Sequence, residues 1–464
     1  MSASRKLIEA FRSGPRRPLR LLGASGQLGY GIPTAALEAG LARAPDLIGC
    51  DMGSIDIGPH YLGSGRMATS PEATRRDLRK VILAARRLDI PLVIGSAGSA
   101  GAAPHLAQTL EMVRDIARQE GLHFRLGVLR GDIDKQIVKE AVAARSVVGI
   151  DHMPDLTDQE TDAATHIVGQ MGMEAVQRAL EADVDVVIAG RACDTAIFSS
   201  LPAMLGFPIG LSVHMAKIIE CASLCCLPGG RDTILATLDD EGFVLESMAP
   251  QRIATPMSVA AHSLYEQSDP YVIIEPEGRV DLRTARYEAL DDRRTRVSGA
   301  NWIPAQEVTV KIEGARVVGE RAALLCAAAD PIFIREHRAI LDAVSVVVRD
   351  LVCEDTPEDY SLHWRVYGVD GVTAPPPGAC LPHEVFLLLE CVAPTLARAE
   401  EVVRTMKQYL LHHGYPGRLS TGGNLAFPIT PPEISLGTAY RFNVYHIMSS
   451  PRLGELFPLQ VETL

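Results

Sequence analysis

The segment from residue 51 to residue 65 holds the densest group of polar and titratable side chains in the sequence. Two carboxylates, Asp51 and Asp56, and the imidazole of His60 lie among four glycines. Glycine lets the backbone approach a ligand closely, and these three side chains could bind a divalent metal ion or act as acid and base. A purely structural turn seldom collects so many polar groups at the end of a strand, so we favour a functional role over a structural one.

A second candidate site follows the strongest predicted strand, residues 184–189. Arg191 offers a planar guanidinium to a carboxylate, and Asp194 offers an acid or a base. Cys193 would begin a helix beside Arg191, an environment that lowers a thiol pKa and creates a nucleophile. Because cysteine is also a common buried hydrophobic residue, we favour Arg191 and Asp194 over Cys193.

A glycine-rich loop follows the first predicted strand. The spacing around Gly26 resembles that of dinucleotide-binding turns, and Asp51 ends the next strand at the distance expected for a ribose contact. However, residues 30–33 delay the helix whose amides a pyrophosphate needs, so NAD is not expected as a cofactor. The alternative interpretation is a tight turn that allows close backbone packing.

The loop at residues 95–101 also follows a predicted strand and precedes a helix. Here Ser96, Gly98 and Ser99 are small residues whose amides could bind a phosphate or a carboxylate. A flexible turn without a ligand explains the same composition. Both interpretations stay open for this loop.

Short apolar runs alternate with amphipathic stretches from residue 19 to about residue 226, which is typical of strands and helices in turn. The predicted strands are residues 19–24, 47–51, 92–95, 124–129, 147–150 and 184–189. The alternation predicts an α/β fold with a mainly parallel N-terminal sheet and flanking helices. Ligands in such sheets bind beyond the carboxyl ends of the strands, which is where the candidate loops fall.

After Gly229 and Gly230 the pattern changes, because turns become frequent and strand-like pieces mix with two long helical stretches. This change predicts an α+β C-terminal half. We therefore predict two domains, an α/β domain at residues 1–230 that carries the ligand loops and an α+β domain at residues 231–464.

Composition excludes some classes of partner. The 464 residues include 45 Lys and Arg against 57 Asp and Glu, a net charge of −12, which disfavours binding to nucleic acid or to an anionic membrane. No apolar run is long enough for a membrane span or a signal peptide. Nine cysteines without paired spacing are typical of a reducing compartment, so a cytoplasmic location is expected.

Nine segments of the sequence resemble the acyclic terpene utilization protein A (AtuA) family, formerly catalogued as a domain of unknown function. They extend from the first predicted strand almost to Leu464. The segments are residues 23–31, 51–65, 166–172, 190–198, 258–266, 290–299, 365–371, 423–428 and 455–458.

The resemblance implies a role in bacterial catabolism of branched acyl-CoA and small carboxylate compounds. It also implies that a separate small protein replaces the further C-terminal domain that longer family members carry. A small carboxylate or acyl-CoA ligand is therefore expected, together with a homo-oligomer or a small partner subunit. The apolar final segment, residues 453–464, favours such an assembly because it has little reason to face water.

The leading hypothesis is a catabolic enzyme that acts on a small carboxylate or an acyl-CoA thioester by hydro-lyase or isomerase chemistry. That chemistry needs an acid, a base and a fixed anion clamp. The four residues Asp51, Asp56, His60 and Asp194 would supply acid–base groups or metal ligands. The clamp would come from Arg191 and the loop at residues 95–101.

Two alternatives stay open. One is a hydrolase that uses Cys193 as its nucleophile. The other is a non-catalytic subunit that binds acyl-CoA or serves as a scaffold in a catabolic enzyme complex. A binding subunit has no use for clustered titratable groups, so the density around Asp51 and His60 favours an enzyme.

Overall fold

The computed structural model describes residues 1–354, 357–418, 423–449 and 453–464. The chain divides into two compact units. Unit 1 comprises Met1–Arg316 and Phe442–Leu464, and unit 2 comprises Val317–Arg441. Both boundaries lie inside long strands.

The elements alternate along the chain as the sequence pattern predicts for the first 200 residues. The strands are β1 (Leu19–Ser25), β2 (Leu47–Asp51), β3 (Leu92–Gly95), β4 (Arg125–Leu129), β5 (Val147–Gly149), β6 (Ala164–Gly169), β7 (Val186–Ala189), β8 (Ile234–Leu238), β9 (Gly242–Ser247), β10 (Val272–Glu275), β11 (Gly278–Asp281), β12 (Arg286–Ala289), β13 (Thr295–Ser298), β14 (Asn301–Pro304), β15 (Thr309–Ala328), β16 (Ser361–Tyr367), β17 (Val385–Ala393), β18 (Glu433–Ser449) and β19 (Leu459–Thr463). The α-helices are α1 (Ala3–Ser13), α2 (Thr34–Leu41), α3 (Pro59–Ser64), α4 (Pro71–Leu88), α5 (Ala103–Glu120), α6 (Lys135–Ala143), α7 (Asp158–Ala163), α8 (Met173–Glu181), α9 (Asp194–Met204), α10 (Ile209–Ile219), α11 (Pro256–Ser263), α12 (Pro331–Val352), α13 (Leu396–His412) and α14 (Leu453–Leu456). Within the described ranges, no helix combines the length and the apolar character that crossing a membrane requires.

The main sheet of unit 1 has ten strands among the described residues, in the order β12-β13-β9-β8-β1-β2-β3-β7-β4-β19. Strands β1, β2, β3, β7 and β4 are parallel to one another. The other five pair antiparallel, β8, β9, β13 and β12 on one side and β19 on the other. The fold is therefore mixed α/β, and the prediction of a mainly parallel sheet holds only for its central half.

The central strands are apolar because helices cover both faces of the sheet. Every residue of β7 is buried, and β2 is buried along its whole length. Helix α4 begins at Pro71 behind the Ser70 cap and turns Leu78, Val81 and Ile82 into the core on one side of the sheet. This packing fixes the strand ends from which the candidate loops emerge.

The change of pattern at residue 230 has a different cause from the one predicted. Strands β8 and β9 follow it and extend the main sheet antiparallel to β1, with Leu22 opposite Leu235. Residues 231–316 thus belong to unit 1 together with the parallel strands. The pattern changes because antiparallel strands need turns rather than crossover helices.

The predicted strand at residues 147–150 does not join the main sheet. It forms β5, which pairs antiparallel with β18. Strand β6 pairs antiparallel with the first part of β15, where Val168 lies opposite Glu313. These pairings place the later strands β15 and β18 beside β5 and β6 from the first 200 residues of the chain.

Unit 2 is an antiparallel sheet covered by two long helices. Strand β17 pairs with β15 on one side and β16 on the other. Ala322, Leu324 and Cys326 alternate into a core shared with α12 and α13. An α+β architecture was predicted for the C-terminal half, and unit 2 has this character.

The final segment finds its burial within the chain. Strand β19 pairs antiparallel with β4, and Leu456 and Phe457 are almost fully buried. The apolar character of residues 453–464 is therefore explained without a partner subunit. This correction removes one of the two reasons for expecting an oligomer, which stays a prediction.

Candidate functional site

A cavity of about 470 Å³ lies at the carboxyl ends of β2 and β7 in unit 1. Asp56 reaches it from the loop after β2, and Arg191, Cys193 and Asp194 reach it from the turn between β7 and α9. The rest of the lining comes from α10, from residues 266–276, and from β15 and β18. Asp56 and Arg191 thus lie at the same edge of the sheet, because the strands that carry them are parallel.

Arg191 lies at the centre of this site but is not free to clamp a substrate by itself. Its Nε donates to Glu313 Oε2 at 2.8 Å, and its Nη1 donates to the Gly53 carbonyl and to Ser96 Oγ. Glu313 and Asp194 raise the pKa of Arg191 against the effect of burial. The anion-clamp hypothesis did not foresee Glu313, which neutralises most of the charge that a ligand would use.

Asp51, which is buried, and Asp194, which is half-buried, form a pair of carboxyls beside Arg191. Burial raises the pKa of Asp51 well above its ordinary value, the charge of Asp194 raises it further, and Arg191 opposes both. Burial also raises the pKa of Asp194, although Arg191 and Lys217 lower it. The Gly53 amide donates to Asp51 Oδ2 at 2.7 Å.

One oxygen of each carboxyl, Oδ1 of Asp51 and Oδ1 of Asp194, is buried and has no hydrogen-bond partner within the described part of the chain. Asp194 is the first residue of α9, where helix amides and Arg191 favour the ionised form. Burial acts against them, and the pKa of Asp194 lies above its ordinary value.

Lys217 is the main site residue that the sequence interpretation missed. It projects from the otherwise apolar α10, and its Nζ lies 2.5 Å from Glu220 Oε1 and 3.6 Å from Glu266 Oε2. Burial opposes the charge on Lys217, but Glu220 and Glu266 raise its pKa above that of an ordinary lysine. Burial raises the pKa of Glu220 to about 8 in spite of the lysine.

Glu275 brings a further buried carboxyl to the cavity from the end of β10. Thr195 Oγ1 donates to Glu275 Oε1 at 2.7 Å. Burial raises the pKa of Glu275 to about 8, so this carboxyl holds a proton at neutral pH. No pattern in the sequence marks it, since it lies in a short strand of the three-stranded sheet β10-β11-β14.

The side of the cavity formed by β15 and β18 carries a third cation. Lys311 Nζ lies 3.2 Å from Glu313 Oε1 and 4.3 Å from the centre of the Tyr445 ring. Burial opposes the charge on Lys311, but Glu313 raises its pKa. Four isoleucines complete the lining with apolar surface, namely Ile150, Ile273, Ile274 and Ile447.

The structure corrects the expected reactivity of Cys193. The residue does lie at the N-cap of α9 and does line the cavity. However, burial raises the pKa of its thiol well above the ordinary value, and Glu275, Glu277 and Asp194 raise it further, whereas Arg191 opposes them only in part. The thiolate form is therefore disfavoured at this position.

Asp56 and His60 lie in the loop after β2 but not in a metal-binding arrangement with Asp51. Asp56 is exposed and accepts a hydrogen bond from Ser54 Oγ at 2.6 Å. His60 is in the short helix α3, edge-on to the ring of Tyr61 at 5.3 Å. No group of three or more His, Cys, Asp or Glu side chains among the described residues could hold a metal ion.

Gly26 has a structural explanation. A Cβ atom at Gly26 would lie 2.9 Å from the Cys221 backbone, so the loop packs directly against the end of α10. The loop amides are also occupied, since Leu28 donates to the Asp51 carbonyl and Gly29 and Gly31 both donate to Asp77 Oδ2. The geometry fits the tight-turn interpretation, because these amides are used inside the protein.

The loop at residues 95–101 is likewise used internally. The Ser96 amide donates to the Gly190 carbonyl, Ala97 to Ala189, Ser99 to Ser96 and Gly101 to Ala97. Ser96, Gly98 and Ser99 are buried, and a Cβ at Gly98 would contact His105. Four of the amides that an anion nest would use are therefore bonded inside the protein, and Ser96 Oγ helps to position Arg191.

Fold and site together define a mixed α/β protein with a cavity lined by carboxyl groups and lysines. A model of the acyclic terpene utilisation family protein AtuA matches residues 70–230 and 238–430, and the chain belongs to this family. The expected family is thereby confirmed, and it suggests a role in acyclic terpene utilisation. A comparison with curated proteins and one with solved structures each found no match.

Proposed function

We propose that this chain is an acid–base enzyme of acyclic terpene utilisation that acts on a small carboxylate or on the acyl part of a thioester. The reaction would be the addition or elimination of water, or the movement of a double bond. The observation that carries this proposal is Asp194, a half-buried carboxyl with a raised pKa at a cavity that Lys217 and Glu275 also line.

Acid–base catalysis works best when the pKa of the group lies near the working pH. Burial moves the pKa of Asp194 upward, so its conjugate base is a stronger proton acceptor than an exposed carboxylate. Glu275 is held by Thr195 and is protonated at neutral pH, which makes it a proton donor. Arg191 and Lys217 favour the ionised form of Asp194, whereas burial keeps Glu275 protonated, so one carboxyl can accept a proton and the other can donate one.

In the elimination direction, Asp194 would take a proton from the carbon next to the carboxyl or thioester group. The electrons of that C–H bond form the new double bond as the C–O bond to the hydroxyl breaks. Glu275 would give its proton to the departing hydroxyl, which leaves as water. For isomerisation, Asp194 would return the proton at another carbon.

The charge that develops on the substrate oxygen needs a cation near it. Lys217 and Lys311 both line the cavity, and each carries three donors of which neighbouring carboxylates use only part. Four isoleucines supply apolar surface for a short or branched carbon chain. A volume of about 470 Å³ suits such a chain, since ligand cavities range over several hundred Å³.

The hydrolase alternative gains nothing from the cavity, since the pKa of Cys193 is raised. A scaffold subunit would need an anion-binding surface but not a set of carboxyls with raised pKa values. We therefore keep the acid–base enzyme as the single proposal.

The test uses purified full-length protein and a panel of short branched hydroxy acids, their unsaturated counterparts and the matching thioesters. In D₂O, we expect deuterium to enter at the carbon next to the carboxyl group of the accepted compound. Asp194→Asn should lower that exchange and kcat on the order of 10²-fold or more. The matched control is Asp292→Asn, which removes an exposed carboxylate outside the cavity.

Exchange at the wild-type rate in a correctly folded Asp194→Asn variant would contradict the assignment of the base. Binding of a panel compound without exchange or turnover would favour a non-catalytic subunit instead.

A further inference from the structure

A second pocket in unit 1, separate from the acid–base cavity, is basic. Arg76, Lys80 and Arg231 line it together with residues 30–33, and its volume is about 330 Å³. None of the described residues that line it is acidic. In a chain with a net charge of −12, three cations around one pocket are an exception that needs an explanation. We propose that this pocket binds the phosphate of a nucleotide.

Two of the cations are fixed by the backbone rather than by acids. Lys80 Nζ donates to the Ile32 carbonyl at 2.6 Å, and Arg231 Nη1 donates to the Tyr30 carbonyl at 2.7 Å. A carbonyl orients a cation but does not neutralise it. A guanidinium has five donors and an ammonium three, so both side chains keep donors and charge for an anion.

Arg76 is the third cation of the pocket and lies one helical turn before Lys80 on α4. Its nearest acid is Asp77, with 3.6 Å between Arg76 Nε and Asp77 Oδ1. The other oxygen of Asp77 accepts the amides of Gly29 and Gly31, so this carboxylate is directed into the loop. One buried carboxylate balances at most one of the three cations.

The backbone adds a second feature that suits an anion. Helix α2 begins after Pro33, and no side chain in the described structure caps it by a hydrogen bond. Pro33 lines the basic pocket, which places this helix start beside the three cations. Free amides at a helix start favour negative charge. Residues 30–33 separate the glycine-rich loop from helix α2, and they also place the start of that helix at the basic pocket.

Tyr30 indicates which phosphate compound fits best. Its side chain is 49% exposed although it lines the pocket, so its ring is open to a flat partner. Nucleobases stack on such rings, and inorganic phosphate cannot. The combination of three cations and an exposed aromatic ring is typical of nucleotide recognition.

The experiment is calorimetric titration of the full chain with ADP, adenosine and inorganic phosphate, at low salt and at physiological salt. We expect ADP to bind more tightly than phosphate, and adenosine to bind only weakly. The variants Arg231→Gln and Lys80→Gln should each weaken the binding of ADP and of phosphate about tenfold or more. The variant Tyr30→Ala should weaken the binding of ADP alone, and Tyr30→Phe should bind ADP as the wild type does.

The matched control is Arg75→Gln, on the same helix, which removes one positive charge whose contact is Gln119 rather than the pocket. It should leave ADP binding unchanged, and thermal unfolding of every variant checks the fold. The proposal is overturned if no probe binds, if Arg231→Gln and Lys80→Gln bind as the wild type does, or if phosphate binds as tightly as ADP. None of these outcomes depends on turnover in the acid–base cavity, so failure of one proposal leaves the other standing.

Discussion

Arg191 Nε lies 2.8 Å from Glu313 Oε2, with side chains that are 4% and 0% exposed. The same guanidinium reaches the Gly53 carbonyl after β2 and Ser96 after β3. One side chain thus ties β15 to three strand ends of the main sheet. We infer that this ion pair holds the cavity in shape, because a buried charge without its partner is costly.

Glu313→Gln should lower the free energy of unfolding by about 3 kcal/mol or more, since it leaves the Arg191 charge buried without its counter-ion. Urea unfolding of both proteins measures the difference. The control is Glu9→Gln in the exposed pair with Arg5, which should change the free energy of unfolding far less because solvent screens this pair. A change of similar size in both variants would show that the buried pair has no special role.

Stability should fall as the pH rises from about 5 to about 8. The pKa of Glu220 and of Glu275 rises to about 8 through burial, whereas the ordinary value is 4.5. Between these two pKa values the folded protein keeps protons that the unfolded chain has released. The free energy of unfolding therefore decreases as the pH increases.

Each such proton contributes a slope of up to about 1.4 kcal/mol per pH unit. Urea unfolding of the wild type and of Glu275→Gln at several pH values isolates one carboxyl. The free energy of unfolding of Glu275→Gln should decline less steeply with pH than that of the wild type. The control variant Glu288→Gln, at an exposed position, should decline as steeply as the wild type. Identical slopes in all three proteins would mean that Glu275 is ionised at neutral pH.

Cys193 should be unreactive, because burial and three nearby acids raise the pKa of its thiol. Iodoacetamide at pH 7.5 should modify exposed Cys380 first, and peptide mass spectrometry follows both sites. Cys193→Ser should keep most of the activity of the proposed enzyme. Rapid modification of Cys193 that substrate blocks, together with an inactive serine variant, would restore the hydrolase hypothesis.

Gly26→Ala should destabilise the fold by about 1–3 kcal/mol, because the new Cβ would lie 2.9 Å from the Cys221 backbone. Gly414→Ala is the control, since nothing lies within 4 Å of a Cβ there. Thermal unfolding compares the two variants. Equal stability would mean that the loop can move away from α10.

The sequence by itself determined the central strands and the edge at which their loops meet. Apolar runs such as the one that forms β7 are typical of buried strands between helices, and the carboxyl ends of parallel strands share one edge. The pattern of strands and helices therefore suffices to place Asp56 and Arg191 at the same edge. Lys217 is a lone charge in an apolar helix, and that contrast is the signal in the sequence that could have found it.

Only the tertiary structure decided what these side chains do to one another. Glu313 lies 122 residues from Arg191 in the chain, and strand pairing alone brings them together. Burial raises the pKa of both Asp194 and Cys193, because the cost of desolvation depends on neighbours from several distant segments. A sequence shows which groups can titrate, but the surrounding packing sets the pH at which they do.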